Sequence, residues 1–177
     1  MRNALLLVVL AMVVPMMGCL TLSVYPLYTA KDVVTDLPLE GKWMDPDGKD
    51  VWEIRRAGDC YVAINASDAH DEKVEVCLVR LGTRHFLDLT ASDRPSLSVG
   101  GHLFCKVAVS GEELRVQTVK SEWLEKKARD SGLAFVELPD KDVLVTAPTA
   151  ELQKLVLRYA DDPEAFNEAG VLRRVAR

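Results

Sequence analysis

Charge of either sign is missing from the first part of this 177-residue chain: none occurs between Arg2 and Lys31. Histidine is scarce at three residues, and aromatic side chains make up only 6%. Basic residues never gather into a dense cluster, and the formal net charge is −5. These absences exclude whole classes of function. An acidic surface without a basic cluster argues against nucleic acid and against electrostatic attraction to anionic lipid. So few aromatics cannot build a broad stacking platform. No Gly-x-Ser-x-Gly elbow, phosphate-binding loop or His-Glu-x-x-His helix occurs. Nothing here nominates an enzyme, a cofactor or a metal centre.

The histidines fit that reading. His70-Asp71-Glu72 is a polar loop whose adjacent side chains converge poorly on one ion. His85 shares a strand face with Leu87 and Leu89, whereas Asp88 falls on the opposite face and cannot orient it.

The uncharged stretch has an order of its own. Met1-Arg2-Asn3 is a short positive start, residues 4–14 are an apolar run, and Pro15 breaks the helix. Met16-Met17-Gly18-Cys19 follows, with a small residue just before the cysteine. This resembles the bacterial lipobox, with Met16 and Met17 standing where other residues are commoner. The resemblance implies a signal peptide over 1–18 and a mature chain whose first residue, Cys19, carries lipid. It also implies a protein held by that lipid to a membrane of the bacterial cell envelope, outside the cytoplasm. An uncleaved membrane anchor is the competing reading, but Pro15, Gly18 and Pro26 interrupt the 20 or so apolar residues a spanning helix needs.

Residues 19–38 read as the lipidated N-terminus and a tether punctuated by Pro26 and Pro38. Leu22, Val24, Leu27 and Tyr28 are apolar enough for part of it to pack on the domain or lie at the membrane. A single domain is predicted over 39–168 and a flexible tail over 169–177.

Within the domain, short alternating runs are separated by turn residues, the pattern of an antiparallel meander. Strands are predicted around Trp43 and over residues 51–56, 60–66, 74–81, 85–90, 103–109 and 114–119. After Val119 the period lengthens: Ser121 and Thr149 are placed to cap helices, and Gly132 to end the first. Leu152, Leu155, Val156 and Tyr159 share one helical face. Short strands over 135–138 and 143–146 lie between the helices, and Pro163 opens a last helical turn. The fold class is mainly β: an antiparallel meander closed or half-closed into a barrel, with one or two C-terminal helices packed on it.

Gly41-Lys42-Trp43 at the head of this train is similar to the Gly-x-Trp start of lipocalin-like barrels. That likeness implies a tryptophan plugging one end beside an arginine from a late strand, for which Arg115 is the candidate. From Gly18 to Tyr28 and on into Gly-x-Trp, the chain also resembles small uncharacterised bacterial lipoproteins, a likeness that brings no activity.

The inward candidates are Trp52, Ile54, Val62, Ile64, Leu87, Leu89, Leu103, Val107, Leu114 and Val116. They are mostly medium-sized aliphatics, without a charged pair or nucleophile, so an interior built from them suits an acyl chain or nothing at all. Two functions follow: a binding module for an apolar ligand or lipid, or an envelope interaction or structural module with a filled core. Cys60, Cys77 and Cys105 allow at most one internal bridge, and the alternative is that all three are buried thiols.

Changing Cys19 to Ser should abolish signal processing and lipid attachment together. Metabolic labelling with a palmitate analogue checks this, and undiminished labelling of Cys19→Ser would remove the lipid-anchor reading.

Overall fold

The alternating runs form strands, and the turns between them decide which side of each strand faces inward. The structure, a computed structural model, describes residues 21–67, 73–91, 100–138 and 143–176. The signal region with Cys19, the His70-Asp71-Glu72 loop and the Pro139-Asp140 turn lie outside these residues. The elements are β1 (Leu22–Ser23), β2 (Gly41–Met44), β3 (Val51–Ala57), β4 (Cys60–Asn65), β5 (Lys73–Leu81), β6 (Arg84–Ala91), β7 (Leu103–Ser110) and β8 (Glu113–Thr118). Then come α1 (Ser121–Ser131), β9 (Phe135–Glu137), β10 (Val143–Val145), α2 (Thr149–Arg158) and β11 (Gly170–Arg174). Strands β2 to β8 run up and down as antiparallel neighbours, and β11 pairs with both β8 and β2 to close an eight-stranded barrel. The mainly-β, lipocalin-like architecture expected from the sequence is present, with both helices outside the barrel.

Closure corrects one expectation. Residues 170–174 are a barrel strand, not part of a flexible tail, with Leu172 opposite Leu114 and Arg174 opposite Trp43. Without β11 the edges of β8 and β2 would stay unpaired. That requirement belongs to the barrel and leaves no mark on the local sequence. The stretch around Pro163 is a turn held by Asp162, not a helix.

The inward rows of the barrel strands make one buried cluster around Trp43, Trp52, Tyr61, Val74, Val76 and Leu78. Ile54, Leu87, Leu89, Leu103, Val107, Leu114 and Val116 stand in it as expected. Val62 and Ile64 do not. They face outward, half-buried, opposite Arg55 and Glu53. The Gly58-Asp59 turn pairs Ala57 with Cys60 and Ile54 with Ala63, which sends Tyr61, Ala63 and Asn65 inward. A strand has a side-chain period of two, so turn length overrides the preference of two β-branched residues for the core.

The described part of the 19–38 segment packs on the domain, one of the two courses its apolar residues left open. It is a strap along the outside of the barrel. Ser23 bridges to His102 at the start of β7, the Leu27 amide donates to Asp88 on β6, and Val33 pairs with Val79 on β5. The strap ends beside Gly41, where β2 begins. Its first residues form β1, which pairs in parallel with β10 of a small sheet ordered β1-β10-β9.

That sheet and both helices enclose a second core on the outer wall. Val79, Leu81, Phe86 and Phe104 of the barrel meet Leu27, Leu124, Val145, Leu152, Leu155 and Val156. Helix α2 buries the predicted face, but against this wall and not in the barrel mouth. Gly132 ends α1 in the left-handed conformation, as expected. The hydroxyls expected to cap helices serve the strap: Ser121 Oγ accepts the Thr21 amide, and Thr149 Oγ1 donates to Pro26 O.

Truncating the chain after Ala169 should abolish the cooperative urea transition, because two barrel edges and the Trp43 cover are lost together. A wild-type midpoint for the truncated protein would show that β11 is dispensable.

Candidate functional site

At the barrel end marked by the turns at Gly58, Gly82 and Gly111, the inward rows finish in polar side chains. Arg80 and His85 stand opposite each other in the β5–β6 ladder. Both reach Asp36 of the strap: Arg80 Nη1 donates to Oδ2 at 2.9 Å, and His85 Nε2 lies 3.1 Å from Oδ1. Burial opposes ionisation of Asp36, but the hydrogen bond and charge of His85, a backbone hydrogen bond and the Arg80 charge outweigh it. Its carboxyl is held below the ordinary value.

Trp43 plugs this end. Its Nε1 donates to Leu39 O at 2.7 Å, and the Arg174 guanidinium lies 4.2 Å from the ring centroid. Arg174 Nη1 and Nη2 donate to Glu40 O and Pro38 O, both at 2.6 Å. Gly41 has φ +130°, and a Cβ there would stand 2.6 Å from Arg174 Nη1. Both facts explain why glycine precedes the tryptophan by two. The late-strand arginine implied by the lipocalin-like resemblance is therefore Arg174. Arg115 faces solvent from β8 and bonds Glu113.

A cleft of about 800 Å³ opens over this end, lined by Asp36, Leu39, Glu40, Tyr61, Glu112 and Arg174 among others. Burial lifts the Tyr61 phenol above its ordinary value; Arg56 opposes this, while Glu40 and Asp36 add to it. A second cleft of about 490 Å³ lies between the strap and β4, lined by Tyr28, Val33, Arg56, Asp59 and Cys60. The first reaches the interior cluster at Leu39 and Tyr61, with Leu37 packed against it, and the second touches it only through Val34. Of the predicted interior residues, Trp52, Ile54, Leu87, Leu103, Val107 and Val116 are brought together inside, away from both clefts; Val62 and Ile64 are not. One interior polar atom lacks a partner: Trp52 Nε1 is buried with no acceptor among the described residues.

On the outer wall, Asp88 is 2% exposed and accepts the Leu27 amide at 2.7 Å through Oδ2. His102 Nδ1 lies 2.6 Å from Oδ1, at hydrogen-bond distance. A carboxylate–imidazole pair invites a search for a nucleophile, and Ser23 lies opposite His102. The Ser23 hydroxyl is fully buried and bonds nothing among the described residues, so no accessible nucleophile is supplied. The pair pins the strap to the barrel. Sequence reasoning missed it, although an acidic residue inside the run Phe86-Leu87-Asp88-Leu89 was a usable signal for a buried, paired carboxylate.

Cys60 stands opposite Cys77, next to the Tyr61–Val76 pair, and the two form a disulfide with Cα atoms 4.5 Å apart. Cys105 remains a thiol in the barrel core, where burial and then the Asp88 charge push it up to about 12. It is inert at neutral pH. The sequence left one bridge and three buried thiols as equal alternatives; the bridge joins the two cysteines that face outward from adjacent strands.

A carboxylate depressed in the folded state stabilises the fold above its unfolded value, and that contribution is lost as pH falls through the folded value. Asp36→Asn should therefore lower the urea midpoint at neutral pH and approach wild type as pH falls through the folded value, where both forms are uncharged. Equal midpoints at neutral pH would show that Asp36 contributes nothing.

No protein-family model, curated protein or solved structure matches this chain.

Proposed function

We propose that this chain is a lipid-anchored module of a bacterial cell envelope that recognises its partners through its outer surface. Its barrel interior acts as a filled core. The observation that carries this reading is the packing of that interior. Trp43, Trp52 and Tyr61 lie fully or almost fully buried among the aliphatic rows, and Leu37, Leu39 and Val34 of the strap pack against the same cluster. An eight-stranded barrel is just wide enough for its side chains to fill it or to hold one small ligand, and three large aromatic side chains favour filling. The clefts open on the outer surface and touch this cluster only through Leu37, Leu39 and Tyr61 in the first and Val34 in the second, where a partner has access.

The anchor is read from Gly18-Cys19. The Cys60–Cys77 disulfide supports placement outside the cytoplasm, because such bonds persist in oxidising compartments.

A second reading, an apolar ligand or lipid held inside the barrel, is favoured by one observation. The indole N–H of Trp52 has no acceptor among the described residues, and a ligand carboxylate or a water would satisfy it.

Titrating a fluorescent fatty acid into soluble protein lacking residues 1–19 decides between them. A filled core predicts no saturable binding. Saturable binding that Val107→Trp abolishes would overturn the filled core and establish the interior site.

A further inference from the structure

Resting on the reading of Cys19 as the lipid-bearing residue, we propose that the outer face of the small sheet β1-β10-β9 lies directly against the lipid bilayer. The domain then sits on the membrane instead of hanging from a tether.

The argument begins with chain length. Thr21 is buried, and its amide donates to Ser121 Oγ at 3.1 Å. Leu22 and Ser23 are already paired in β1. Cys19 is only two residues before Thr21, and two residues reach at most about 7 Å. Acyl chains on Cys19 therefore enter the bilayer within that distance of a fixed point on the domain, beside β1 and the start of α1.

The surface at that point is apolar. In the sheet register Leu22 lies opposite Leu144, and Leu144 opposite Val136, so the three side chains share one face. The other face carries Ser23 and Val145, both fully buried, and turns toward the second core. On this face Leu22 packs on Gly101 and against the barrel's interior cluster and Leu144 is half-buried, whereas Val136 is 50% exposed. Leu138, two residues further on, is 37% exposed. No charged side chain belongs to the row Leu22, Leu144 and Val136, which suits the acyl region of a bilayer and not its headgroup charge. The exposed apolar end of this row, Val136 with Leu138, lies near a lipid attachment point and has a ready occupant in the lipid itself.

The proposal also orients the molecule. The strap starts beside His102, at one end of the barrel, and finishes beside Gly41 at the other. The cleft over Asp36, Glu40 and Arg174 therefore faces away from the bilayer, open to a partner.

The test uses the full-length lipidated protein in phosphatidylcholine vesicles. Val136→Cys, Leu138→Cys and Glu112→Cys are each spin-labelled; Cys60 and Cys77 are bonded to each other and Cys105 is buried, so the new thiol takes the label. Glu112 is the control, at the far end of β8 from Ser121. Collision with oxygen, which concentrates in lipid, is compared with collision with a water-soluble nickel chelate. Labels at 136 and 138 should favour oxygen severalfold over the label at 112, and the contrast should vanish in soluble protein lacking residues 1–19. If mass spectrometry finds lipid on Cys19 yet all three labels meet nickel equally, the proposal falls and the anchor stands. If Cys19 carries no lipid, both fall. Protection of 136 and 138 from both reagents would put a protein surface there, a second copy included, and overturn the proposal.

Discussion

The guanidinium of Arg174 holds three parts of the chain at once. It covers the ring of Trp43, it binds the carbonyls of Pro38 and Glu40, and it lies on the strand that closes the barrel. A cation over an indole contributes about 0.5–2 kcal/mol, and hydrogen bonds from a charged donor about 1.5–3 kcal/mol each. More important is what these contacts link. The end of the strap, the first barrel strand and the last one meet at this group. Gly41 is glycine because the guanidinium occupies the space a Cβ would take. Closure, plugging of the mouth and the course of the strap are therefore one event.

The strap is the second dependency. It lies between the barrel wall and α2, and its backbone is satisfied by side chains on both sides: Asp88 from the barrel, Thr149 and Gln153 from the helix. A segment with little secondary structure of its own can be buried only when its polar groups find such partners. Strands β5 and β6 consequently bury both faces, one in the barrel core and one beneath the helices. This is why Val74, Val76 and Leu78 compete in sequence with Val79 and Leu81 for an inner face. Each set has a core of its own.

The two outer clefts and the small sheet follow from the same arrangement. Where β4 stops pairing with β5, the strap supplies the next backbone partner, and the Cys60–Cys77 bond ties the strands at that fork. A crosslink closing a loop of this size contributes about 3 kcal/mol in the chain-entropy account. The cleft at the mouth exists because the strap crosses from outer wall to first strand there, leaving Asp36 and Glu40 on its rim.

The sequence by itself determined the strand train, both helices, the burial of Trp43 and Trp52 and the stop at Gly132, because each is written in local periodicity or in one residue's backbone preference. It also carried the glycine and tryptophan of the plug. Other features were decided only by the tertiary structure. The inward face of β4 depends on the register set by one turn, so Val62 and Ile64 face out while Ala63 and Asn65 face in. The role of Arg174 depends on the empty edges of β8 and β2, and the strap depends on carbonyls and amides meeting partners up to 136 positions away. Local sequence reports which side chains prefer to be dry. Which strand edge, mouth or wall needs covering is a property of the assembled barrel, and no stretch of sequence expresses it alone.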